Sequence, residues 1–148
     1  MEFFYFLLKF LHLENNPQAM YYSFWFTNDG AVIGLLTTII VTLLGVLILY
    51  YVIPKFKSIN NGIWLITNIV SAIVTFLLTF LIAKPALCKY ILYNDLDSAS
   101  GQPLTYIVNH GTLDVWMYSA STIVWAILFF FIFSLIIKNF SRYKKIPF

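Results

Sequence analysis

Three stretches, residues 31–53, 63–83 and 115–137, run for 23, 21 and 23 residues without a single Asp, Glu, Lys, Arg or His. A helix needs about 20 predominantly apolar residues to cross the hydrocarbon of a bilayer. Inside lipid its backbone N–H and C=O groups must all be satisfied within the segment, which is why helices are the natural form for such runs. An ordinary soluble domain is about 25% charged, whereas this chain of 148 residues is 10% charged and 61% hydrophobic, with a mean hydropathy of +0.84. The pattern excludes a water-soluble globular fold. It predicts an all-α integral membrane protein with three transmembrane helices and an N-terminal amphipathic interfacial helix.

The punctuation between the stretches divides the chain. Residues 1–30 form an N-terminal segment, 31–53 the first span, 54–62 a short inner loop and 63–83 the second span. An outer polar loop covers 84–114, the third span 115–137 and a basic inner tail 138–148. The loop 54–62 is short, so the first two spans are expected to form an antiparallel hairpin. Asn28-Asp29-Gly30 and Asn60-Asn61-Gly62 read as a turn and N-cap opening the first and second spans. Pro54 closes the first, because its ring disfavours helix at the preceding residue. Lys84-Pro85 reads as a break or kink, followed by a surface helix over 86–96. Residues 94–111 are rich in turn chemistry, 104–108 has the composition of one short strand, and Thr112 reads as the N-cap of the third span. Asp114 then falls in that helix's first turn, where the dipole favours an anion.

In residues 1–13, Glu2, Tyr5, Lys9 and His12 recur at spacings of three, four and three, one polar stripe on a Phe- and Leu-rich helix. Thirteen residues reach about 20 Å, too short to span. A helix lying in the membrane interface or against a neighbouring subunit is expected. Glu2 precedes the apolar run and no small-residue cleavage site follows, so a cleaved secretory signal is not expected. Tyr21, Tyr22, Phe24, Trp25 and Phe26 resemble the aromatic belt found at headgroup level.

Six of the nine basic residues, Lys55, Lys57, Lys138, Arg142, Lys144 and Lys145, flank span ends on one side, and Lys9, Lys84 and Lys89 lie on the other. The positive-inside rule then places the tail inside and the N-terminus outside. The expected location is the cell's inner (cytoplasmic) membrane, with the mitochondrial inner membrane as the alternative. The sequon Asn139-Phe140-Ser141 would face the interior and stay unused. The basic tail is read as a topology signal that can also meet anionic lipid. Net charge is only +3, and no clustered basic face supports nucleic-acid binding.

Ionisable side chains within spans normally mark proton or ion paths, and these stretches have none. Small and hydroxylated residues instead recur at helical spacing. Gly34, Thr38, Thr42 and Gly45 share one face of the first span. Asn68, Ser71, Ala72, Thr75 and Thr79 line the second, and Ser119, Thr122 and Ala126 the outer half of the third. Such residues let helix backbones approach closely and exchange weak hydrogen bonds, so they are the candidate helix-packing or subunit interface. Asn68 is the most polar side chain in the spans. Its amide needs a partner, from a threonine of the first span or from a neighbouring chain, and replacing it with Leu is expected to weaken packing or assembly.

No phosphate-cradling glycine loop, serine elbow or helical histidine pair occurs. Asp95, Asp97, His110 and Asp114 in the outer loop are the one grouping with acid/base or metal potential, and solvated loop residues are the simpler reading. Cys88 is the only cysteine, so no disulfide forms within the chain and it reads as a small hydrophobe. No catalytic residues, cofactor or metal are expected. The composition points to a non-enzymatic subunit that anchors or scaffolds a larger membrane assembly, of the secretion, injection, respiratory or energy-converting kind. Its partners would be the lipid bilayer and other membrane-protein subunits. A homo-oligomeric channel lined by the Thr/Ser/Asn stripes is the alternative, and an enzyme built on the outer loop a distant third.

Overall fold

A computed structural model describes residues 25–53, 60–93 and 104–140, excepting the side chains of Thr27, residues 104–107 and His110. The amphipathic helix expected over 1–13, the aromatic residues 21–24, most of the inner loop, residues 94–103 and the tail from 141 lie outside the described residues.

The described residues are all helical elements and their flanks, with no strand among them. Helix α1 covers Ala31–Leu47 and is prolonged by wider π-helical turns at Phe26–Gly30 and Ile48–Val52. Helix α2 covers Asn61–Tyr93, and α3 covers Leu104–Ile137 with a 3-10 turn at Lys138–Phe140. Three helical segments, Asn28–Val52, Asn61–Tyr93 and Gly111–Phe140, are long and apolar enough to cross a membrane. Asn60 caps α2 by accepting the Ile63 N–H on its Oδ1 at 2.9 Å, which satisfies one of the four amide groups a helix start leaves orphaned.

Thr37 on α1 meets Thr79 on α2, while Gly45 packs on Ser71. Numbers rise along one helix as they fall along the other, so the pair is antiparallel. Trp64 meets Ser134 and Leu87 meets Gly111, which makes α2 and α3 antiparallel as well. α1 and α3 run parallel, with Tyr118 beside Gly30 and Phe130 beside Gly45. The result is an up-down-up bundle.

Its interior has three tiers. Trp25, Phe26, Ala83, Leu87, Ile91, Val115 and Tyr118 form one apolar cluster at the end of the bundle where α1 begins. Val46, Leu49, Tyr50 and Phe130 form another toward the opposite end. Between them lies a waist of small residues, including Thr38, Thr42, Ala72, Thr75, Ser119, Thr122 and Ala126, all buried. The outward faces are aliphatic, with Leu36, Ile40, Leu44, Ile66, Ile69, Ile73 and Leu77 all exposed. A soluble bundle has the reverse polarity, with apolar stripes inward and charge outward.

Four local expectations are corrected. Residues 104–108 are helical, and Thr112 stands inside α3, its Oγ1 donating to the Val108 carbonyl at 2.8 Å. The turn signal Asn109-His110-Gly111 misleads because Gly111 serves packing. A Cβ there would lie 3.1 Å from Leu87 Cδ2, so glycine lets α3 run close against α2. Asn28-Asp29-Gly30 is neither turn nor cap. Gly30 is helical at φ −59°, ψ −47°, and the helix starts earlier because Trp25 and Phe26 bury themselves against Tyr118 and Leu87. Finally, α2 passes through Pro85 to Tyr93 without ending. Proline removes one i→i−4 bond, but Ala83, Leu87 and Ile91, on one face, are buried in the first cluster and hold the turns beyond it.

Candidate functional site

The interface between the three helices is the best-defined feature of the molecule. Gly34, Thr38 and Thr42 on α1, Asn68, Ser71, Thr75 and Thr79 on α2, and Ser119 and Thr122 on α3 are buried, and Gly45 is half-buried. Helical spacing places them inward together.

Most of the hydroxyls are satisfied by their own helices. Thr38 donates to the Gly34 carbonyl and Thr42 to that of Thr38, each at 2.6 Å. Thr75 donates to Ser71 O and Ser119 to Val115 O, each at 2.8 Å, and Thr122 to Ser119 O at 2.7 Å. This back-bonding folds the oxygen against the backbone and leaves a small surface for the neighbouring helix. The glycines bring the backbones closer still. A Cβ at Gly34 would collide with the Tyr118 hydroxyl, and one at Gly45 with Ser71 Oγ while lying 3.2 Å from Phe130 Cε2.

Cross-helix hydrogen bonds come largely from residues that spacing alone does not single out. The Thr37 and Thr79 hydroxyls lie 2.8 Å apart. Trp64 Nε1 donates to Ser134 Oγ at 2.9 Å, and Tyr50 also hydrogen-bonds Ser134, so one serine ties all three helices together. Tyr118 donates to the Gly30 carbonyl at 2.5 Å. A signal for Ser134 exists, since Thr122, Ala126, Phe130 and Ser134 step by four along α3. The bulky aromatic residues carry no such mark.

Asn68 behaves differently from its neighbours. It is 4% exposed, and its Oδ1 is buried with no hydrogen-bond partner among the described residues. The α1 threonines that could have served it, Thr38 and Thr42, are turned onto their own carbonyls.

Of the outer-loop grouping, Asp95, Asp97 and the His110 side chain lie outside the described residues. Asp114 lies ten residues into α3 rather than in its first turn, and is buried at 3% exposure. Among the described residues no group of three or more His, Cys, Asp or Glu is placed to hold a metal ion. Cys88 is a free thiol, half-buried on α2.

Two grooves on the outside are lined by described residues. One, of about 320 Å³, follows the α1–α2 seam past Leu44, Gly45, Thr67 and Ser71. The other, of about 780 Å³, lies at the end of the bundle among Trp25, Asp29, Lys89, Tyr90 and Tyr93. No family model, curated protein or solved structure matches this chain.

Proposed function

We propose that this chain is a multi-pass integral membrane subunit whose three-helix bundle anchors or scaffolds a larger membrane assembly, without catalysis of its own. The observation that carries the reading is the direction of its polarity. Most of the buried hydroxyls of the three helices are bonded within the chain, while the sides of the helices are largely aliphatic. Lipid is the solvent that suits such an exterior. The excess of Lys and Arg beside the inner loop and in the tail supports an orientation with the C-terminus inside, in the cytoplasmic membrane.

The stripe-lined channel draws less support. Hydroxyls bonded to their own carbonyls and buried at the α1–α2–α3 seam would have to rotate outward to line a pore between copies. Purification of the tagged full chain in mild detergent tests the proposal. Unrelated membrane subunits are expected to co-purify stoichiometrically, and liposomes holding the chain alone are expected to show no conductance. A homo-oligomer that conducts ions on its own would overturn the reading.

A further inference from the structure

The groove at the end of the bundle is lined by two charges of opposite sign. Asp29 stands on the first turn of the α1 rod and Lys89 on α2, both exposed and both lining the groove. Neither has an ion-pair or hydrogen-bond partner among the described residues. The nearby Lys84 differs, since its Nζ sits 5.9 Å from the centroid of the Phe80 ring, a cation–π contact. Tyr93, on the groove wall, is 89% exposed, and Tyr90 and Trp25 complete an aromatic lining.

The level of the groove is set by the sequence. Asp29 lies two residues before the uncharged stretch that starts at Ala31, and Lys89 six residues past Ala83, about 9 Å of helix. Polar headgroup layers are about 5–8 Å thick on each side of the hydrocarbon. Asp29, about 3 Å of helix from its apolar stretch, therefore stands within the headgroup layer and Lys89 at its outer edge if the helices span, so the inference rests on the membrane reading above.

We propose that this groove binds the zwitterionic headgroup of a phospholipid, with Lys89 meeting the phosphate and Asp29 the ammonium group. Charge complementarity selects the ligand. An anionic headgroup leaves Asp29 opposed to its own sign, whereas a phosphoethanolamine or phosphocholine group carries both required charges two carbons apart. Tyr90 and Tyr93 line the same groove, and aromatic faces attract an ammonium group by cation–π interaction. The acyl chains would then follow the aliphatic flank of α2, where Leu81, Ile82 and Leu92 are exposed.

The test uses the full chain reconstituted into phosphatidylcholine vesicles carrying spin-labelled phosphatidylethanolamine or spin-labelled phosphatidylglycerol at equal mole fraction. Electron spin resonance then reads the motionally restricted lipid. Wild type is expected to hold the zwitterionic label more strongly. Lys89→Gln should lower the restriction of both labels about fivefold, and Asp29→Asn should lower the preference for the zwitterionic label about fivefold, the scale of one charge at a membrane surface. The exchanged pair Asp29→Lys with Lys89→Asp should restore it, which a merely structural role for either residue would not do. Equal restriction of both labels in wild type, or no change in the single variants, overturns the groove assignment while leaving the membrane reading intact. Extraction of the chain from the vesicles by alkaline carbonate would overturn both.

Discussion

The Tyr118 hydroxyl on α3 donates to the Gly30 carbonyl at 2.5 Å, one turn before Gly34, where an added Cβ would lie 2.8 Å from Tyr118 Cζ and collide with its hydroxyl. A fully buried tyrosine is thus seated on a glycine, its ring against the backbone of α1 and its polar tip on a carbonyl. Gly34→Ala is expected to destabilise the detergent-solubilised chain by about 1–3 kcal/mol, the range for overpacking a tight interior. Tyr118→Phe removes the nearest clashing atom, so the double variant should lose less than the sum of the two single losses. Additive losses in denaturant unfolding would show that the two residues do not meet.

Ser134 offers a sharper test, because a single oxygen serves both Trp64 and Tyr50. Cross-helix hydrogen bonds in membrane proteins average about 0.6 kcal/mol and reach about 1.7. Ser134→Ala should therefore cost about 1–2 kcal/mol, with a change in near-ultraviolet circular dichroism as Trp64 loses its acceptor. An unchanged spectrum and midpoint would remove Ser134 from the joint.

Thr38 and Thr79 should separate by partner rather than by burial, since both are fully buried. Thr38 bonds its own helix, whereas Thr79 reaches Thr37 across the seam. Thr38→Val keeps the branched shape and is expected to be nearly neutral. Thr79→Val should cost about 0.6 kcal/mol in the same unfolding assay, and the reverse ranking would contradict the bonding pattern.

The orphaned Oδ1 of Asn68 reverses the direction expected from composition. A buried acceptor without a donor costs about 1–3 kcal/mol, and leucine has similar bulk. Asn68→Leu is accordingly expected to raise the stability of the isolated chain by about 1 kcal/mol or more. A clear loss of stability in the isolated chain would mean that the amide has a partner after all.

Pro85 lies inside α2 on an exposed position, so its cost is a missing backbone bond rather than a packing role. Replacing it with Ala should stabilise the helix by up to about 3 kcal/mol and slow hydrogen exchange at the backbone amides of the neighbouring turns of α2. Faster exchange there would show that proline at this position supports the helix.

Much of the architecture was legible because lipid-scale helices leave a strong mark. Long uncharged runs permit little else, and a 3.6-residue repeat of Gly, Ser and Thr states which face turns inward. Element ends were harder. Asn60 caps α2 through its own side chain, a local device that local sequence can reveal. Gly111 and Gly30 carry the same turn-forming chemistry, yet both are helical, because contacts with Leu87 and Trp25 use their missing side chains for close approach.

The sequence by itself determined that there are three apolar rods, that polar groups concentrate on one face of each, and where basic residues gather. Those properties depend on composition and on spacing along a single helix. Only the tertiary structure decided that the rods outrun their apolar cores, that Tyr118 rests on Gly34, that Ser134 joins three helices, and that the Asn68 acceptor is left without a donor. Such outcomes depend on which atoms meet across residues far apart in the chain. A hydroxyl that can bond either its own carbonyl or a neighbouring helix has its choice set by that meeting.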